Sequence, residues 1–176
     1  VPGANAAVRI ATGSTVSVDI NTAVVGNVEV QAGAILTVLN TATATLSYNG
    51  TMTVAGRLNN YGGITQASSS NKAFTMTGTG TYEHNPRNVT LLDESIFQKS
   101  NEAFASTTTL IIKKWYDLNL GLGDATRVNG NFGNVTLNIP DLTIWEQNDD
   151  FMDATTGLQR VFGKLTVSSG TVRMDD

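Results

Sequence analysis

Few residues of this chain could take part in chemistry, and His84 is the clearest of them. It is the only histidine, and the chain has no cysteine. A multi-histidine metal site and a thiolate site are therefore excluded, and a Ser-His-Asp triad would have no alternative histidine. His84 follows Tyr82-Glu83 and precedes Asn85-Pro86. This context predicts a surface or corner histidine in a turn rather than a catalytic one.

The densest group of oxygen ligands lies late in the chain, at Asp149, Asp150 and Asp153. Carboxylates at this density could bind Ca²⁺, which takes about six to eight oxygen ligands. The spacing fits neither the EF-hand loop nor the calcium-binding nonapeptide repeat. We therefore expect a solvated acidic loop, with a cation site at these three residues as the alternative.

A polysaccharide lyase or hydrolase built on a β-helix would need several carboxylates on one exposed face. Residues 1–82 contain only Asp19 and Glu29 as acids. The acids of the second half do not align on neighbouring coils; they include Asp93, Glu94, Glu102, Asp117, Asp124 and Asp141. The sequence thus predicts a protein with no catalytic residues and no cofactor.

Aromatic side chains offer a second kind of site, because their faces can serve as platforms for sugars. Five are candidates for an exposed ligand-binding face: Tyr61, Tyr82, Trp115, Tyr116 and Trp145. Filling the core is the competing explanation for most of them. Trp115 and Tyr116 are adjacent, so on a strand one would face inward and the other outward.

Composition favours an all-β protein of one domain covering residues 1–176. Only 15% of the residues are charged, and glycine is frequent with 17 residues. The formal net charge of −4 argues against a nucleic-acid scaffold, which would need clustered Lys and Arg. No apolar run approaches the roughly 18 residues of a membrane span, so we expect no membrane insertion.

One pattern near the start of the chain occurs twice, 20 residues apart. Apolar residues at positions 8, 10, 16 and 18 flank a glycine at position 13. The same pattern returns with apolar residues at 28, 30, 36 and 38 around a glycine at 33. Short alternating strands that return at a fixed interval are typical of a β-solenoid. The repeat predicts a parallel β-helix with coils of about 20 residues, in which Val8 lies under Val28 and Val18 under Val38.

Further coils follow with less regular spacing. We expect a third coil from Leu46 to Leu58 and a fourth from Phe74 to Tyr82, with Phe74 stacked over Met52. Regular coils would then cover residues 8–82, and less regular coils and loops residues 83–176. Near residues 93–104 a short helix and an irregular excursion are both compatible with the sequence.

Three segments share an apolar residue, a glycine, a polar residue and the first residue of a strand. They are Val25–Val28, Phe132–Val135 and Phe162–Leu165. A glycine corner that leads the chain into an inward-facing strand would explain all three. The segment Leu165–Met174 also matches the opening repeat with one residue fewer, which predicts that the solenoid continues to the end of the chain.

Four segments combine short strand patterns with Gly- and Asn-rich turns: Gly78–Asn85, Trp115–Leu120, Val128–Leu137 and Leu165–Val172. They resemble the β-solenoid regions of large secreted and surface-displayed proteins of Bacteroidota-type bacteria. The resemblance implies an extracellular, repetitive and non-catalytic stalk or adhesive region. It carries over no functional residue, because the shared motifs are structural.

These observations favour a structural module of the cell exterior: a rigid stalk, an adhesin segment or a filament subunit. Solenoid ends expose unpaired backbone groups, so the expected partners are other copies or flanking domains of a longer chain. Surface glycans are further expected partners. Two alternatives stay open: a carbohydrate-binding module with an aromatic face, and a β-helical polysaccharide-degrading enzyme.

Overall fold

The computed structural model describes residues 3–67, 74–87, 102–114, 131–139, 160–161 and 163–169. This part of the chain contains strands and no helix. The strands are β1 (Val8–Ile10), β2 (Thr15–Val18), β3 (Val28–Val30), β4 (Ile35–Val38), β5 (Thr45–Tyr48), β6 (Met52–Val54), β7 (Arg57–Asn60), β8 (Gly63–Gln66), β9 (Phe74–Met76), β10 (Thr81–His84), β11 (Glu102–Phe104), β12 (Thr109–Ile112), β13 (Asn131–Phe132), β14 (Asn134–Asn138), β15 (Arg160–Val161) and β16 (Leu165–Ser169).

The strands form parallel sheets in which neighbours come from successive turns of the chain. The first sheet has the order β1-β3-β6-β9-β11, and the second has the order β2-β4-β7-β10-β12-β14-β16. A third sheet consists of β5 and β8, and a further pair of β13 and β15. All of these pairings are parallel. The protein is therefore a parallel β-solenoid, and the predicted fold class is confirmed.

The stacking predicted from the opening repeat is also confirmed. Val8 pairs with Val28 in the first sheet, and Val18 pairs with Val38 in the second. The corner glycines stack as well, because the amide of Gly13 donates to the carbonyl of Gly33 at 3.2 Å. Both glycines have positive φ, a conformation that glycine adopts without a steric penalty.

The third turn begins later than the sequence predicted. Phe74 pairs with Met52 as expected, but the turn starts at Met52 itself. Leu46 lies in β5, which forms a separate side of the second turn and pairs with β8. The prediction missed this third side because the alternation of apolar residues continues across the corner between β5 and β6, with no change of period to mark it.

The segment near residues 93–104 is a strand where the structure describes it. β11 pairs in register with β9, and Phe104 packs against Phe74 with ring centroids 5.9 Å apart. The backbone ladder and this aromatic contact favour the strand over the helix, so the helical alternative is wrong for residues 102–104. Residues 88–101 lie outside the described part.

The connections from the first sheet to the second are short, and those that return from the second sheet to the first are longer and vary more in length. The chain passes from β1 to β2, from β3 to β4, from β9 to β10 and from β11 to β12 in four residues, and each of these corners is a turn closed by a backbone hydrogen bond. The return connections from the second sheet to the first are longer and unequal; those that lead to β3, β6, β9 and β11 comprise residues 19–27, 39–51, 61–73 and 85–101. The corner from β6 to β7 has only two residues, 55 and 56, so both sides vary in length and the return side varies more.

Apolar side chains from the sheets fill the interior of the solenoid. The most deeply buried include Val30, Val38, Met52, Leu58 and Ile112, each fully removed from solvent. Further along, an aromatic row continues from Phe104 to Phe132, whose ring centroids lie 4.8 Å apart. Because each turn places its apolar residues over those of the previous turn, the core is one continuous column.

The glycine corners are required by close backbone approach. A Cβ added to Gly133 would lie 2.4 Å from the carbonyl oxygen of Thr108, and one added to Gly26 would lie 2.6 Å from that of Asn5. The corner at Gly26 leads into the first sheet, whereas those at Gly133 and Gly163 lead into the second. Leu165 consequently pairs with Val135 in the second sheet. The match between Leu165–Met174 and the opening repeat had aligned Leu165 with Val8, which belongs to the first sheet, so the two residues do not correspond.

We expect Gly133→Ala to destabilise the protein by about 1–3 kcal/mol, because the added methyl group would overlap two backbone carbonyls that cannot rotate away. Urea unfolding followed by circular dichroism measures this loss. Gly3→Ala is the matched control, since a Cβ there would meet nothing within 4 Å. Equal midpoints for the two variants would contradict the steric role of the corner.

Candidate functional site

Strands β7 and β10 interrupt the apolar column with polar residues on both of their faces. β7 has the sequence Arg-Leu-Asn-Asn, and β10 has Thr-Tyr-Glu-His. The two strands are neighbours in the second sheet and pair residue for residue. Their polar side chains are therefore brought together in two groups, one inside the solenoid and one outside.

The inner polar chain consists of Asn60, Tyr82 and His84. All three are buried. The Nδ2 of Asn60 donates to the Tyr82 hydroxyl oxygen at 3.3 Å, and that oxygen lies 2.9 Å from Nδ1 of His84. Apolar residues enclose the chain along the column, since Asn60 stacks on Val38 and His84 on Ile112. The Tyr82 hydroxyl thus joins the amide of Asn60 to the imidazole of His84 within an otherwise apolar core.

The position of His84 corrects the prediction of a surface or corner histidine. It is the last residue of β10 and is almost completely buried. Burial lowers the pKa of His84 to about 3, because the interior disfavours the charged imidazolium. The alternation of Phe74, Met76 and Tyr82 contained the missed signal, since His84 lies one further step of two residues along the same face.

The outer ion cluster is centred on Glu83 and includes Arg57, Lys113 and Tyr61. The Glu83 side chain is only 3% exposed, and its two oxygens contact Nη2 of Arg57 at 2.7 Å and Nζ of Lys113 at 2.6 Å. Tyr61 adds a hydrogen bond from its hydroxyl group. The cluster joins β7 and β10 to the residue that follows β12.

Amide and hydroxyl groups extend this cluster toward the start of the chain. Nε of Arg57 donates to Oδ1 of Asn59 at 2.8 Å. Nδ2 of Asn59 in turn donates to Oγ1 of Thr37 at 3.1 Å. The contacts therefore cross four successive strands of the second sheet, from β4 to the end of β12.

Opposing effects act on the ionisation of the outer cluster. Desolvation alone raises the pKa of Glu83, but the hydrogen bonds from Lys113 and Tyr61 and the charges of Lys113 and Arg57 outweigh it. The net result is a pKa below the usual value of a glutamate, so the carboxylate is held charged. Burial, followed by the hydrogen bond to Glu83, raises the pKa of Tyr61.

This geometry limits what the site can do chemically. Glu83 and His84 are successive residues of one strand, so their side chains point to opposite faces of the sheet and do not form an acid–base pair. The carboxylate of Glu83 is engaged by two cations, and the imidazole of His84 is enclosed by the core. Both groups connect one turn of the solenoid to the next.

The predicted aromatic face is only partly described. Tyr61 is half-buried beside Glu83. Tyr82 is fully buried among core residues, so it does not belong to an exposed face and fills the core instead. Trp115, Tyr116 and Trp145 lie outside the described residues. For them the predicted ligand face stays a prediction.

The predicted acidic loop at Asp149, Asp150 and Asp153 also lies outside the described residues. Within the described ranges, no group of three or more His, Cys, Asp or Glu residues could hold a metal ion. Of the scattered acids of the second half, Glu102 is placed in β11, and the others fall outside the described part.

Sequence reasoning missed Arg57, Lys113 and Arg87. Arg57 and Glu83 meet only because β7 and β10 pair in a register that depends on the length of the connection between them. The guanidinium group of Arg87 donates from Nη1 to the carbonyl oxygens of Thr41 at 3.1 Å and Ala44 at 2.8 Å. Arg87 thereby ties the end of β10 to the return connection that precedes β5.

Comparisons with protein-family models, with curated proteins and with solved structures found no match for this chain. Among the described residues, no helix has the length and hydropathy that crossing a membrane requires.

We expect Glu83→Gln to lower the free energy of unfolding by about 1–3 kcal/mol, because Arg57 and Lys113 would lose their shared anion. The loss should be smaller than the roughly 3–5 kcal/mol of a fully buried pair, since both cations are partly in contact with water. Urea unfolding at neutral pH measures it.

Glu29→Gln is the matched control for this substitution. It breaks the exposed pair between Arg9 and Glu29, whose atoms lie 3.2 Å apart, and exposed pairs contribute only about 0–1 kcal/mol. If the two substitutions cost the same, Glu83 has no special role in joining the turns.

Proposed function

We propose that this chain is a structural module of the cell exterior, a segment of a rigid stalk, adhesin or filament that extends by stacking β-coils. The observation that carries the proposal is the second sheet, in which seven strands continue one parallel ladder from turn to turn. At about 4.8 Å per strand, this ladder is roughly 30 Å long. A continuous ladder with a filled core suits a load-bearing rod.

The edges of the sheets support growth by stacking. The outer edges of β1, β2 and β16 pair with no other described strand. Next to them, Val16 of β2 is 37% exposed and Val167 of β16 is 45% exposed, although both occupy inward-facing columns. Unpaired strand edges with apolar neighbours favour pairing with a further β-coil, supplied by another copy or by a flanking domain of a longer chain.

The polar contacts between turns support the same role. The outer ion cluster crosses the strands from β4 to the end of β12, and the inner polar chain joins β7 to β10. Contacts of this kind resist sliding of one turn over the next, because they form in one register only. The extracellular setting is supported by the resemblance of the sequence to surface-displayed solenoids.

We expect purified protein to associate end to end as its concentration rises, and to form rods visible by negative-stain electron microscopy. Val16→Lys should suppress this association, because it places a charge in the apolar column at the edge of β2. Size-exclusion chromatography with light scattering measures the effect. Ser17→Lys is the control, since Ser17 is the neighbouring residue on the outward face of β2.

A chain that stays monomeric at every concentration, or that associates equally in both variants, would contradict stacking through this edge.

The extracellular setting has a separate test. Antibodies against the purified protein should label intact, unpermeabilised cells that produce it, and labelling that appears only after permeabilisation would contradict the proposed location.

A further inference from the structure

The second sheet begins and ends with strands of the same chemical kind. Its first strand, β2, has the sequence Thr-Val-Ser-Val, and its last strand, β16, begins with Leu-Thr-Val. In both strands apolar residues alternate with hydroxyl residues, and the apolar ones occupy the inward columns. Within the described part of the chain, the outer edges of these two strands pair with no further strand. The two ends of the ladder therefore present matching surfaces.

We propose that a second copy of this chain occupies these edges head to tail, so that β16 of one copy pairs in parallel with β2 of the next. The inference rests on the proposed function, because it names the partner and the register of the stacking. In this arrangement Leu165–Val167 pairs residue for residue with Val16–Val18 of the next copy. The same step repeats at the far end of each copy, so the assembly is open and grows into a filament.

The apolar columns of the second sheet define this register. One column extends from Val16 to Leu165, and the neighbouring column extends from Val18 to Val167. A copy placed in register continues both columns, whereas a slip of one residue would turn its apolar side chains outward. A slip of two residues would leave one apolar residue of each edge without a neighbour.

The residues at the ends of both columns are incompletely buried. Val16 is 37% exposed and Val167 is 45% exposed, while Val18 and Leu165 are partly buried against the core. Leu58, which lies inside the first column, is fully buried. A docked copy would cover the four end residues, and removing apolar surface from water is the main favourable contribution to association.

Neither edge has the features that usually prevent strand pairing. Edge strands commonly contain a charged residue or a proline that blocks a further strand. β2 contains neither, and the segment Leu165–Val167 contains neither. The register of β16 shifts beyond Val167, so the regular part of this edge ends there. The proposed contact in the second sheet therefore consists of three uncharged residue pairs.

The unequal sides of the solenoid favour head-to-tail docking over head-to-head docking. β2 follows the four-residue corner 11–14 and precedes the longer return connection 19–27. In a head-to-head dimer two copies of β2 would pair antiparallel, so the start of one strand would lie beside the end of the other. The short corner of each copy would then meet the longer connection of its partner. β16 also follows a short connection, after β15, so a parallel stack places short connections over one another.

Cysteine crosslinking tests the contact, because the chain has no cysteine of its own. Ser17→Cys combined with Thr166→Cys places two outward-facing thiols on paired residues of adjoining copies. Their Cα atoms would be about 4.8 Å apart, which is within the range of a disulfide. Within one copy the two positions lie at opposite ends of the ladder, roughly 30 Å apart. Mild oxidation should give a series of covalent oligomers on a non-reducing gel, and a reductant should convert them back to monomer.

Thr15→Cys combined with Thr166→Cys is the matched control. Thr15 also faces outward on β2 and lies two residues from Ser17. Its Cα would be about 8 Å from that of Thr166 in the adjoining copy, beyond the range of a disulfide, so crosslinking should be at least about tenfold slower. Equal rates for the two pairs would overturn the proposed register.

Single variants test the orientation of the copies. Ser17→Cys alone and Thr166→Cys alone should stay monomeric after oxidation, whereas an equimolar mixture of the two should give a dimer that contains one copy of each. Dimers of either single variant that form as fast as those of the mixture would overturn the head-to-tail orientation, because they require two identical edges to meet.

Electron microscopy of the double variant under reducing conditions separates this inference from the proposed function. Rods like those of the unaltered protein are expected, since both substitutions lie on outward-facing positions. Rods that give no crosslinks on oxidation would overturn the β16–β2 contact and leave the stacked rod intact. If the unaltered protein forms no rods at any concentration, the proposed stacking is contradicted together with this contact.

Discussion

The structure depends on one constraint: each strand must pair in parallel register with the strand one turn earlier. In the second sheet, this register fixes which side chains share a column inside the core. One such column contains Val16, Leu36, Leu58, Tyr82, Leu110, Val135 and Leu165. A shift of one residue would exchange the inward and outward faces of a strand, so the column and the ladder stabilise each other.

The polar residues of β7 and β10 follow the same constraint. Asn60 and His84 are 24 positions apart in the chain, yet they are neighbours in one column because their strands pair in register. Placing amide, hydroxyl and imidazole groups in a core costs free energy, and the hydrogen bonds among them offset that cost in only one alignment. On the outer face, the ion pair between Arg57 and Glu83 depends on the same register.

Much of the fold could be predicted from the sequence, because the first two turns repeat every residue that the ladder needs. The stacking of Val8 on Val28 and of Phe74 on Met52 followed directly from the period. The third side formed by β5 and β8 was missed, since alternation alone does not mark where the chain turns. The sequence predicted His84 at the surface because the adjoining Asn85-Pro86 indicated a turn, whereas β10 extends as far as His84 and buries its side chain.

The candidate site was less predictable for a physical reason. Contacts such as those of Arg57 with Glu83 and of Arg87 with Ala44 join residues whose separation depends on the length of the return connections. Those lengths differ from turn to turn, so no fixed interval in the sequence points to the pairs. Tyr82 was recognisable as aromatic, but its burial depended on the register and not on its type.

Length variation between turns is larger on one side of the rod than on the other. Four-residue corners from the first sheet to the second begin at Ala11, Gln31, Thr77 and Ala105, and the corner from β6 to β7 has two residues. The return connections into the first sheet range from residues 19–27 to residues 85–101. Additional sequence can enter on the return side while both ladders keep their register. The solenoid can therefore carry inserted loops or domains along one flank, at spacings that are multiples of the strand separation.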